Sequence, residues 1–237
     1  MQRFVISLIT AFVITLPAMA TMACPVPGGS ATFDQYSPQA IGTLSGSITC
    51  TVGALTFSEF QFSSAAQGGA ALITPFGVTV TPLNFPGNEG FSFDPGFSVS
   101  SNQKQDVTIE FLVTAPSGQP LTDLGINFNG ASSGTGSTSF TETFCLAAFT
   151  GPSCVTPQLQ VNDNSLSTQV DISPGQGMLF ITKDFIASGG TDGAASISLV
   201  QNNYSHMAVP EPRYTGVLLF GLAALIFVAR RKSTSAS

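Results

Sequence analysis

The chain has a single histidine, His206, so a serine or cysteine nucleophile needing an imidazole base has only one possible partner. Ser132 lies in Gly130-Ala131-Ser132-Ser133-Gly134, which spells the Gly-x-Ser-x-Gly of a nucleophile elbow. That elbow needs a strand before the serine and a helix after it. Here no helical pattern follows, and the run from Gly130 to Gly136 reads as a surface loop. Ser101 and Lys104 show Ser-x-x-Lys spacing, but they lead into an alternating strand and read as a turn. His206 stands three residues before Val209, where it reads as a solvated linker histidine.

Carboxylates are plentiful and bases are not. Between Thr21 and Val209 there are twelve acidic side chains and two basic ones, Lys104 and Lys183, a formal charge of −10. Such a body is repelled by nucleic acid, so no nucleic-acid partner is expected. Paired carboxylates can hydrolyse glycosides. Sugar sites also stack rings on aromatic faces, and this chain has no tryptophan and only Tyr36 and Tyr204 in the body. Asn162-Asp163-Asn164 and Asp192 offer hard oxygen ligands, but neither run completes a calcium loop, and Asx turns satisfy their own backbone without metal. The chemistry-bearing residues therefore predict no catalytic, cofactor or metal site and no enzyme. A secreted hydrolase is the weakest of the alternatives.

Cys24, Cys50, Cys145 and Cys154 are an even set without Cys-x-x-Cys spacing, which favours disulfides over a metal. Three pairings are open. Cys145 with Cys154, closing a short loop through Gly151-Pro152, and Cys24 with Cys50, pinning the N-terminal segment, are the favoured set.

The two ends explain why disulfides are expected. Arg3 precedes the apolar run Phe4 to Leu16, and Pro17-Ala18-Met19-Ala20 supplies a breaker and small residues. This is a signal-peptide pattern, with cleavage expected after Ala20. Its thirteen apolar residues would rise only ~20 Å as a helix, too short for a membrane span. At the other end, Pro210-Glu211-Pro212 precedes sixteen uncharged residues, 214–229, and then Arg230, Arg231 and Lys232. A transmembrane helix is expected over 214–229, with the basic triplet as a cytoplasmic stop and the body outside. At ~24 Å it is marginal as a permanent anchor, which suits a tail held until it is processed.

This order of parts over Val209 to Ser237 resembles the PEP-CTERM sorting signal of exported proteins in biofilm-forming Gram-negative bacteria. The resemblance implies that Pro210, Glu211 and Pro212 are the recognition element. It also implies that an exosortase, a membrane cysteine protease-transpeptidase, is the partner. Arg213 departs from the pattern, since many members carry a small or hydroxyl residue there.

Between the ends the pattern has period 2. Val107, Ile109, Phe111 and Val113 alternate with polar neighbours except at Leu112. The apolar parity switches between Phe57 and Phe60, which calls for a bulge at Ser58-Glu59. Met178 to Ile186 reads as a central strand. Turn chemistry punctuates the runs, at Pro86-Gly87-Asn88, Asp94-Pro95-Gly96, Pro116-Ser117-Gly118, Asn129-Gly130, Ser173-Pro174-Gly175 and Ser188-Gly189-Gly190. The expected fold is all-β, an antiparallel sandwich of roughly nine or ten strands over 21–205, after a signal peptide (1–20) and before a sorting tail (206–237). The expected protein is a non-enzymatic surface or matrix component, inner-membrane anchored and then sorted outward, with links to biofilm. A carbohydrate-binding or adhesive module that takes exopolysaccharide is the alternative.

Overall fold

The computed structural model describes residues 23–24, 29–37, 48–154, 159–163 and 165–207. The signal peptide, the sorting motif, the apolar segment 214–229 and Arg230, Arg231 and Lys232 lie outside the described residues. Among the described residues no helix is long and apolar enough to cross a membrane.

The described chain is all-β. Its strands are β1 (Ala31–Thr32), β2 (Cys50–Val52), β3 (Leu55–Gln67), β4 (Thr79–Phe85), β5 (Asn88–Asp94), β6 (Phe97–Val99), β7 (Lys104–Thr114), β8 (Leu121–Gly134), β9 (Ser137–Cys145), β10 (Leu159–Asn162), β11 (Ser167–Gln176), β12 (Met178–Ser188) and β13 (Gly193–His206). One sheet runs β1-β4-β5-β13-β8-β11, with β6 also on β13. The other runs β10-β9-β12-β7-β3-β2. Named strand pairs are antiparallel throughout. Thirteen strands exceed the nine or ten expected, because β1, β2 and β6 are only two or three residues long and too short to show a period.

The alternation on β7 is complete: Val107, Ile109, Phe111 and Val113 are buried and Leu112 is not. One face of each sheet therefore turns inward, and the sheets close on each other through aromatic rings. Phe57 of one sheet meets Phe91 of the other at 4.6 Å between ring centroids, tilted edge to face. Phe60, Phe93, Phe111, Phe140 and Phe185 are also fully or almost fully buried in this layer. Each such burial stabilises by ~1.5–3 kcal/mol.

The parity switch on β3 is resolved by a bulge. The β3–β7 register jumps between Ser58 and Gln61, and Glu59 takes a φ of 57°. Met178 to Ile186 is central, flanked by β9 and β7.

Two predicted turns are not turns. Asn129-Gly130 and most of the run to Gly136 continue β8, paired with β13 as far as Gly134 opposite Gly193. Gly130 is there for close packing: a Cβ would sit 2.4 Å from the Phe128 ring and 2.7 Å from Thr138 Oγ1. Ser173-Pro174-Gly175 stays within β11, where the register against β8 jumps from Asp171 to Gln176 and the extra residues are absorbed as an irregularity.

Candidate functional site

Each sequence-level candidate now has a place. Ser132 lies within β8, and its hydroxyl donates to the Asp163 carboxylate. The geometry of a nucleophile elbow is absent there. Ser132 pairs with Ala195 on β13, and His206 is eleven residues further along the same strand, roughly 36 Å away. Ser101 and Lys104 close a turn in which Gln103 N donates to Ser100 O, and Lys104 pairs with Asp106 at 3.0 Å.

His206 is not a solvated linker residue. It is the last residue of β13 and points inward, with Nε2 3.0 Å from Glu89 Oε2 and side-chain exposures of 6% and 4%. The physical reason is register. Tyr204 and His206 share the inward parity of β13, and Glu89 opposite Tyr204 faces the same way. The body therefore runs one residue past its expected boundary at 205.

The cysteines pair as favoured, Cys24–Cys50 and Cys145–Cys154. Cys24 N also donates to Thr51 O, so the N-terminal segment is tied to β2 twice. Two disulfides are typical of a chain that folds in an oxidising environment, as exported proteins do. Asp163 accepts from Ser132 and from Thr138 N. Burial is the largest single effect and raises its carboxyl, but the hydrogen bonds from Ser132, Thr138 and its own backbone together hold it below the usual range. Asn164 lies outside the described residues. Among the described residues no group of three acids, histidines or cysteines could hold a metal.

Two constellations were missed by the sequence. The first is a groove of about 410 Å³ on the outer face of the β5-β13-β8-β11 sheet. Its central row crosses the strands as Asn203, Gly125 and Gln169, which are successive register partners. Gly125 opens the floor, because a Cβ there would meet nothing within 4 Å. Asn88, Asp123, Asn127, Ser167, Thr168 and Ser205 form the walls. Ser205 Oγ donates to Asp123 Oδ1 at 2.8 Å. The Asn203 Oδ1 is buried without a hydrogen-bond partner, an unmet acceptor at the floor. Amides and hydroxyls both donate and accept, so such a surface matches a ligand rich in hydroxyls. The volume falls within the range of small-ligand sites.

The second lies in the core. Lys183 of β12 and Glu142 of β9 are register partners, and Lys183 Nζ donates to Glu142 Oε2 at 2.5 Å. The same ammonium donates to Asn202 Oδ1 on β13 of the facing sheet. Asn202 Nδ2 donates to Gly125 O at 3.4 Å, and Tyr204 OH to Glu142 Oε1 at 3.4 Å. All four side chains are fully buried. The rings of Phe111, Phe140, Phe93 and Tyr204 stand 5.2 to 5.9 Å from Nζ. Burial pushes the Lys183 amine down to about 8, and the Glu142 carboxylate offsets only part of that. A parity signal did exist. Lys183 shares the phase of Ile181 and Phe185, Glu142 that of Phe140 and Phe144, and Asn202 that of Val200 and Tyr204.

No family model matches the chain, and no curated protein matches it. Similar solved structures include TmCBM61 in complex with beta-1,4-galactotriose, at 12% identity over 61% of this chain and 88% of that one, TM-score 0.32. The enzymatically active domain of bacteriophage CBA120 tailspike protein 4 matches at 15% identity over 62% of this chain and 19% of that chain, TM-score 0.31. Endoglucanase 3 of Trichoderma harzianum, from family GH12, matches at 11% identity over 62% of this chain and 98% of that one, TM-score 0.24. These scores are too low for the likeness to carry a ligand or an activity across.

Proposed function

We propose that this chain is an exported, non-enzymatic surface protein whose sandwich binds a hydroxyl-rich polymer, an exopolysaccharide, in the groove centred on Gly125. The observation that carries this reading is the row Asn203–Gly125–Gln169. One bare position, Gly125, lies beside an amide with an unmet acceptor, inside walls of amides and hydroxyls. The groove has no aromatic lining, so hydrogen bonds hold the polymer and affinity per site is modest. Asp123 in the wall disfavours acidic polysaccharides.

The test is a glycan array probed with the purified full chain and with Gly125→Leu. Binding to neutral polysaccharide that is lost when leucine fills the floor supports the groove. Absence of binding to any polysaccharide sinks it.

The address belongs to the same proposal. An exosortase-type protease reads Pro210, Glu211 and Pro212 while the 214–229 segment and Arg230, Arg231 and Lys232 hold the chain in the inner membrane. Support comes from the order of these parts in the sequence and from the disulfides, which favour an exported, oxidising environment. Glu211→Ala leaves the chain in the inner membrane with its tail uncut. Release of that variant like the parent removes this half of the proposal.

A further inference from the structure

The buried cluster has more polar chemistry than the core of a sandwich needs. A buried ion pair is weak evidence for stability, because apolar residues of similar volume usually do as well. Here one fully buried amine touches both a carboxylate and a carboxamide, enclosed by aromatic rings. We propose that Lys183 and Asn202 become covalently joined, the lysine amine displacing ammonia from the asparagine side-chain amide, with Glu142 carrying the protons. The product is an isopeptide bridge between the two sheets.

The step balances without an oxidant, a reductant or a cofactor. Lys183 Nζ gives a proton to the Glu142 oxygen it already contacts at 2.5 Å. The neutral amine attacks Cγ of Asn202, forming the Nζ–Cγ bond, and the carbonyl electrons move onto Oδ1. Glu142 then relays one proton from the attacking nitrogen to Nδ2. The Cγ–Nδ2 bond breaks as the carbonyl re-forms, and ammonia leaves. One acid proton remains on Glu142, so a buried ion pair has become a neutral acid beside a neutral amide.

Three features favour the reaction. The reactants are held together by separate strands, which supplies the proximity that an intermolecular amine lacks. Burial lowers the proton affinity of Lys183, so the nucleophilic neutral amine is within reach near neutral pH. Tyr204 OH, on the other oxygen of Glu142, fixes the proton carrier in place.

The consequence is mechanical. β12 lies in one sheet and β13 in the other, and β13 is the strand from which the chain continues to the C-terminal tail. A bridge from Asn202 to Lys183 passes tension on the tail into the second sheet through a bond that reductants cannot open. The two disulfides lie elsewhere, on β2 and at the end of β9.

Tryptic mapping of the full chain isolated from cells, reduced and alkylated, tests this directly. Lys183 is the only tryptic site between Lys104 and Arg213, and an acylated lysine is not cut. The expected result is a peptide starting at Gln105 that runs uncut through Lys183 and weighs about 17 Da less than its sequence, one ammonia. Chymotrypsin then releases a branched species joining Lys183 to Asn202. A succinimide at Asn202 would also lose ammonia but would leave Lys183 cleavable, so that pattern overturns the proposal. Full mass with cleavage after Lys183 overturns it as well. Glu142→Gln is expected to abolish the loss of ammonia. Linkage of that variant as complete as in the parent overturns the role given to Glu142, and the parent's map decides the bridge whether or not the variant folds.

Discussion

Lys183 and Glu142 face each other at one register position of β12 and β9 and meet at 2.5 Å, with no exposed surface on either side chain. Before the bridge forms, replacing one partner leaves the other charge buried and unpaired. Lys183→Met is expected to cost about 3–5 kcal/mol of unfolding free energy in urea titrations. The double variant Lys183→Met, Glu142→Leu recovers most of that ion-pair loss, because two apolar side chains suit the ring cage of Phe93, Phe111 and Phe140, while any loss from the missing inter-sheet bridge is common to both variants. Equal losses in the single and double variants would contradict this account of the core.

Gly125 and Gly90 flank the same residue, Asn203, yet they should respond oppositely to alanine. At Gly125 a Cβ points into open space, so Gly125→Ala is expected to stabilise by about 0.5–1 kcal/mol through the unfolded chain. At Gly90 a Cβ would lie 1.9 Å from the Asn202 carbonyl oxygen, so β5 and β13 must part locally. A loss above about 2 kcal/mol is expected. Thermal unfolding of the two variants side by side checks both signs.

His206 should matter to the fold. His206→Ala strands the Glu89 carboxylate in a site where the nearby Gly87 N–H, at 3.3 Å, is its remaining donor. The expected cost is about 1–3 kcal/mol. A variant as stable as the parent would return His206 to the linker role suggested by its place next to the tail.

Asp184 links stability to pH. Burial, and then the neighbouring Asp106 carboxylate, push its carboxyl from 3.8 up to about 6, against a smaller opposing effect of Lys104. In that window the folded chain holds a proton that the unfolded chain has lost. Stability therefore falls as pH rises from about 4 to about 6, and the penalty is fully present above that. Asp184→Asn is expected to be more stable than the parent at pH 7, with the advantage gone near pH 4. An advantage of the same size at both pH values would show another cause.

Much of the sandwich was legible because its rules are local. Alternation on β7 places Val107 and Phe111 inward whatever lies opposite them, since the side-chain period of an extended chain is two. The bulge at Ser58-Glu59 was legible for the same reason, as a break in parity between Phe57 and Phe60. Turn chemistry misled at Asn129-Gly130. That glycine answers the Phe128 ring and Thr138, a packing demand that local sequence does not record.

The sequence by itself determined the strands with clear parity, the even cysteine count that goes with an oxidising compartment, and the acidic surface. It also placed Lys183, Glu142 and Asn202 each in an apolar phase, but one strand at a time. Only the tertiary structure decided that these three meet, because they are 41 and 19 residues apart and come from both sheets. The groove is tertiary for the same reason. Asn203, Gly125 and Gln169 are unremarkable singly, and they form a floor only where the register of three strands aligns them. Period and turn chemistry act between neighbours along the chain, whereas register and sheet-on-sheet packing are settled by cooperative burial of the whole core.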